Sequence, residues 1–110
     1  MIPLTAQSRI LLATHPADFR KGLDGFISLC RLELLQDPRS DTLFVFINKD
    51  HTMLRVLSYD GSGFWLMTKR LSKGKFRGWP NDGQALGSVT ARELSLLLKG
   101  GDGQRLARVA

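Results

Sequence analysis

Apolar positions fall into short runs separated by turn chemistry. Residues 8–14, SRILLAT, make a strand-length apolar run, and His15-Pro16 closes it because a residue before proline avoids the helical region. Beyond DFRKGLDG, apolar residues recur at Leu23, Phe26, Ile27, Cys30 and Leu34. That three-and-four spacing predicts a helix over about residues 20–35 with one buried stripe. Gly22 and Gly25 weaken its first turn by up to about 1 kcal/mol each relative to alanine. Either the helix starts later, or a neighbouring group packs close there. Asp37-Pro38-Arg39-Ser40-Asp41 is turn chemistry and ends the helix.

Three strand patterns follow. Thr42–Ile47, TLFVFI, is apolar throughout and predicts a central strand covered on both faces. Thr52–Tyr59 follows after the hairpin-length loop Asn48-Lys49-Asp50-His51, and Phe64–Leu71 after the glycine-bearing turn Asp60–Gly63. Ser72–Lys75 turns the chain, after which Phe76–Trp79 either returns as a short strand or drapes over an edge. Pro80 to Gly87 reads as loop. Thr90-Ala-Arg-Glu93 is a capping box with Val89 and Leu94 as its hydrophobic staple. The helix it opens runs to about Lys99, stops at Gly100-Gly101, and turns Leu94, Leu97 and Leu98 inward. The expected fold is therefore α+β: an antiparallel β-meander of three to five strands packed with one or two helices. It forms a single small domain over residues 1–99, and residues 100–110 are expected to be a mobile tail.

Charge sharpens this picture. The chain has 110 residues, 16 basic and 10 acidic, for a net charge of +6. The stretch Gly63–Pro80 holds Lys69, Arg70, Lys73, Lys75 and Arg77, the aromatics Phe64, Trp65, Phe76 and Trp79, and no acid. Five of the six net charges thus sit in one segment. Cations interleaved with aromatics suit a phosphate-bearing, base-stacking partner; the same cations also keep an exposed strand soluble. Trp65 alternates with Met67 and reads as a core residue, whereas Trp79, beside Pro80 in a loop, is the better contact.

Other chemistry is sparse. One cysteine, Cys30, permits no internal disulfide and suits a reducing cytoplasm; its place on the apolar stripe predicts a buried side chain. A zinc site needs three or four ligands, and the sequence offers Cys30 with His15 and His51 in separate turns. No nucleophile elbow, Walker loop or dinucleotide fingerprint is present. No apolar run approaches the roughly 18 residues of a spanning helix, and the N-terminal residues lack the charged start of a signal peptide. The expectation is a cytoplasmic protein with no catalytic residues, metal or cofactor.

Six ordered motifs carry a resemblance: DFRKG (Asp18–Gly22) with LDG (Leu23–Gly25), Asp37-Pro38, LFVF-x-N (Leu43–Asn48), YDG-x-GFW (Tyr59–Trp65), KRL-x-KG-x-F (Lys69–Phe76), and Trp79-Pro80. Together they resemble the small TnpB-type accessory protein of bacterial insertion-sequence family 66, which is not the RNA-guided nuclease sharing that name. The resemblance covers about Arg9 to Pro80. It implies a bacterial accessory role in transposition beside a larger, separately encoded transposase that carries the acidic catalytic triad. Two departures stand out: Lys49-Asp50-His51 replaces the family's usual run of arginines, and Gly78 is inserted before Trp79-Pro80.

Two mechanisms follow. In the first, Lys69, Arg70, Lys73, Lys75 and Arg77 neutralise DNA phosphates while Phe76 or Trp79 (or Trp65) packs on a sugar or base. Four or five neutralised phosphates give log K against log salt a slope of roughly −4. In the second, the same surface is an adaptor that docks on the transposase without touching DNA. An open aromatic strand edge could also pair with a second copy to form a homodimer. Asp18, Arg20 and Lys21, in the sharpest motif, serve either as a partner contact or as an ion pair at a helix start.

Overall fold

The computed structural model describes residues 9–81 and 83–99. In chain order the elements are β1 (Arg9–Ala13), α1 (Leu23–Leu32), β2 (Thr42–Ile47), β3 (Met53–Tyr59), β4 (Phe64–Arg70), β5 (Leu86–Val89) and α2 (Ala91–Lys99). The strands form one five-stranded sheet in the order β4-β3-β2-β1-β5. β2, β3 and β4 are the expected antiparallel meander. β1 extends it in parallel to β2, so the complete sheet is mixed. Helix α1 supplies the crossover that a parallel pair requires.

Alternation along the strands divides the core in two. Leu11 and Ala13 of β1, Phe44 and Phe46 of β2, and Leu57 of β3 face α1, packing with Phe26, Leu29 and Cys30. Ile10, Leu12, Val45, Ile47, Leu54 and Val56 face the other way, against Phe76, Leu94 and Leu97. A strand covered on both faces has no polar position to spare, which is why TLFVFI is apolar at every residue after its threonine. The rings of Phe26 and Phe46 lie 4.8 Å apart at the centre of the α1 layer. Each such ring stabilises the fold by about 1.5–3 kcal/mol on burial.

Helix α1 starts at Leu23, later than its periodicity suggested, with extended Gly22 as an N-cap that offers no side chain. Gly25 has a steric reason: a Cβ there would lie 2.8 Å from Cβ of Lys21, whose side chain crosses the first turn. The capping box at α2 forms as read. Thr90 N–H donates to Glu93 Oε1 at 2.9 Å, and Glu93 N–H donates to Thr90 Oγ1 at 3.0 Å. Val89 and Leu94 are both buried beside it.

Two features refine the sequence reading. Leu86 and Gly87, read as loop, belong to β5, which pairs antiparallel with β1 as Ala13 with Leu86 and Ile10 with Val89. Of the two alternatives for Phe76–Trp79, the strand does not form; the segment packs under the sheet on the α2 side. Residues 100–110, expected as a tail, lie outside the described residues.

Candidate nucleic-acid interface

Strand directions decide where the charge goes. β1 and β2 run in parallel, so Ala13 and Ile47 finish at the same end of the sheet. That end also carries the β2–β3 loop and, because β4 runs antiparallel to β3, the segment that leaves Arg70. Two backbone bonds close it: Ala17 N–H to Ile47 C=O at 2.9 Å, and Leu71 N–H to Thr52 C=O at 3.0 Å. DFRKG, Lys49, Arg70, Lys73, Lys75 and Arg77 therefore lie at the same end of the sheet. We call this the basic end. The opposite end holds Asp37, Asp41 and Asp60 with Arg9 and Arg39, and carries no such excess of cations.

Two loops meet at the basic end and form an open groove of about 440 Å³, lined by Lys49, Asp50, His51 and residues 75–79. Asn48 shapes the first loop. Its Oδ1 accepts the N–H groups of Thr52 and Met53 at 2.9 and 3.0 Å, and its Nδ2 donates to Thr52 Oγ1. His51 holds a left-handed backbone, with φ of 60°. The second loop is fastened through Phe76, whose N–H donates to the His51 carbonyl at 2.7 Å while its ring enters the core. Lys75 and Arg77, on either side of that anchor, are directed outward and exposed. Gly78 has a φ of 77°, a conformation that favours glycine and swings the chain from Arg77 back to Trp79.

DFRKG docks against the same end through Arg55, which the sequence reading had left unassigned within β3. Arg55 Nη1 donates to the carbonyls of Phe19 at 2.8 Å and Lys21 at 2.9 Å, and its Nε donates to Thr68 Oγ1. The guanidinium lies 4.8 Å from the Phe19 ring centroid and 5.5 Å from that of Phe26. One side chain thus ties the motif to both β3 and β4. Within the motif, Asp18 and Arg20 form a two-pronged ion pair, with Arg20 Nη2 to Asp18 Oδ2 at 2.8 Å. Hydrogen bonds from the Arg20 side chain and then its backbone N–H lower the Asp18 carboxyl to about 2. Lys21 lies 3.9 Å from Glu33 across α1.

Four residues take positions that the sequence did not show. Phe76 is only 1% exposed, so its ring belongs to the core and is closed to a stacking base. Trp79 is half-buried, and its indole N–H donates to the Ala13 carbonyl at 3.0 Å. Trp65, read as core, is 59% exposed on edge strand β4. Lys69 is turned toward α2, donating through Nζ to the Leu98 carbonyl near the helix C-terminus, where a cation opposes the negative end of the dipole. Arg70, Lys73, Lys75 and Arg77 remain exposed at the basic end.

Trp65 also marks the far end of its hairpin. Asp60 gathers the backbone N–H of Ser62, the Trp65 indole N–H at 2.8 Å, the Ser62 hydroxyl and the Gly63 N–H. Those donors hold its carboxyl well below the usual carboxylate range, the Ser62 N–H most of all. Cys30 is buried under α1, and desolvation pushes its thiol up to about 12. Among the described residues no group of His, Cys, Asp and Glu could hold a metal ion, and no helix is long and apolar enough to cross a membrane.

Fold and site define a small α+β protein whose mixed sheet carries a cluster of exposed cations at one end. The family model described as IS66 Orf2 like protein matches residues 8–108, and the chain belongs to that family, an accessory family of insertion-sequence transposition. It is similar to two proteins of Sinorhizobium fredii (strain NBRC 101917 / NGR234). The uncharacterized protein y4jC is 43% identical over 100 residues, covering 91% of this chain and 85% of that protein. The uncharacterized protein y4hO is 35% identical over 103 residues, covering 93% and 88%. No solved structure matches the chain.

Proposed function

We propose that this protein is a non-catalytic accessory factor of insertion-sequence transposition that grips the DNA backbone with its basic end. One observation carries the reading. Lys49 and His51, more than twenty residues from Lys75 and Arg77 in the chain, line the same open groove with them. An accidental run of solubilising charge would not need a second loop to converge on it. Exposed ammonium and guanidinium groups around a shallow groove suit phosphates, whose contacts position a protein on DNA without reading sequence. Arg70 and Lys73, also exposed, stand at the same end of the sheet. The departure at Lys49-Asp50-His51 keeps a cation where the family's arginines would stand, and Asp50 weakens the local field without reversing it.

Fluorescence anisotropy of a labelled duplex across a salt series tests this. Each neutralised phosphate contributes about −0.9 to the slope of log K against log salt. Lys49→Ala with Lys75→Ala should flatten the slope by about 2. Lys49 is the discriminating residue, because it lies outside the basic stretch. A slope unchanged by the double substitution refutes the groove as the DNA contact. An element-end duplex compared with a scrambled one then reads sequence preference.

A further inference from the structure

β4 is an edge strand, and one of its sides is unpaired among the described residues. Its bonds to β3 are set by Asp60 N–H to Gly63 C=O and by Leu71 N–H to Thr52 C=O. With the β3–β4 register, this directs the backbone groups of Trp65, Met67 and Lys69 inward to β3. Those of Phe64, Leu66, Thr68 and Arg70 point outward, available to another strand.

We propose that this edge pairs antiparallel with β4 of a second copy, in the register that places Met67 opposite the partner's Met67. Charge selects that register. The strand reads FWLMTKR, with aromatics at one end and cations at the other. Centred on Met67, Trp65 stands opposite the partner's Lys69, whose stem can cover the ring while its ammonium stays on the Leu98 carbonyl, and Phe64 stands opposite the partner's Arg70. The outward-pointing residues pair with one another, 64 with 70 and 66 with 68, as an antiparallel ladder requires. Sliding the copies toward Lys69 first drops Phe64 off the partner's strand and sets the two lysines diagonal, then sets them directly opposite, the like-charge arrangement that keeps basic edge strands apart. Sliding them the other way drops Arg70 off the partner's strand and shortens the ladder. Trp65 then gains cover for a ring left exposed in one copy. None of this depends on DNA binding.

The test combines mass measurement with register-specific crosslinking. Sedimentation of the wild-type chain across a concentration series should show a monomer–dimer equilibrium. Trp65→Lys, which sets lysine against Lys69, should remove the dimer while circular dichroism stays native, because Trp65 is outside the core. In the proposed register residue 67 faces itself at a non-hydrogen-bonded site, about 4.5 Å between Cα atoms, within the range a disulfide spans. Met67→Cys should therefore crosslink under mild oxidation and Thr68→Cys should not; Cys30 is buried and does not compete. A wild-type chain that stays monomeric at its highest soluble concentration overturns the proposal, leaving the edge to a different chain. A dimer that Trp65→Lys leaves intact, or one that crosslinks through Thr68→Cys instead, overturns it as well.

Discussion

Replacing Phe76 separates two roles that an aromatic between two cations can have. If its ring stacked on a base, Phe76→Ala would weaken DNA binding by about 1–3 kcal/mol and leave the fold alone. The structure assigns the opposite: the ring is 1% exposed among Val56, Leu94 and their neighbours, and only the flanking Lys75 and Arg77 reach solvent. Truncating a buried phenylalanine to alanine costs about 3–5 kcal/mol. For a domain of this size that is a large share of a total of about 5–15 kcal/mol. At about 4–8 °C per kcal/mol, the melting temperature should fall by roughly 12 °C or more. Phe76→Leu, which keeps most of the volume, should cost about 1–1.5 kcal/mol and leave DNA affinity near wild type. Urea denaturation followed by circular dichroism gives the stabilities, and anisotropy well below the midpoint gives the affinities. The reasoning fails if Phe76→Ala unfolds at the wild-type midpoint and yet binds duplex more weakly.

Three further outcomes follow from single contacts. Asp60 has its carboxyl lowered by folding, so the stability it contributes is complete above its unfolded value near 4 and is lost as pH falls through the folded one. The Trp65 indole N–H resonance should shift with that acid transition, and Asp60→Asn should remove the shift. Cys30, buried and with its thiol pushed up to about 12, should resist a disulfide reagent at pH 8 until urea unfolds the chain; rapid native labelling would contradict its placement. Arg55→Met should destabilise by about 2 kcal/mol or more, since it strips charged hydrogen bonds from the Phe19 and Lys21 carbonyls. Proteolysis should then enter at residues 18–22 first, and an unchanged cleavage pattern would mean the motif is held by other contacts.

Local signals were legible where one physical cause dominated. TLFVFI announced a doubly covered strand, and Thr90 with Glu93 announced a helix start, because burial on both faces and reciprocal capping each leave a pattern within a few residues. β5 was not legible: LGSV contains a glycine and a serine, and pairs only because β1 offers an edge that no local pattern reveals. The exposure of Trp65 was hidden for the same reason. Alternation with Met67 made Trp65 look buried, but β4 is the outermost strand and its outer half has little above it. Trp79 sits in a loop, yet a carbonyl at the end of β1 receives its indole N–H. Arg55 gave no signal at all, since a lone arginine in an apolar strand shows its purpose only once Phe19 and Lys21 fold back onto it.

The basic end and the open edge constrain each other when taken together. β4 runs toward the basic end, finishing at Arg70. Two β4 strands paired antiparallel would therefore carry their basic ends in opposite directions, separated by at least the length of a seven-residue strand, roughly 20 Å. Such a dimer cannot lay both grooves side by side on one short duplex, but it can hold two duplexes apart. A duplex fixed to beads and a second, fluorescent duplex free in solution make the test. Wild-type protein should retain the fluorescent strand pair, most strongly at low salt, where phosphate contacts are tightest. Trp65→Lys should still bind a single duplex with an undiminished salt slope and should retain none of the second. Equal retention by both proteins would mean that bridging comes from non-specific charge on each copy, and that the strand edge has no part in it.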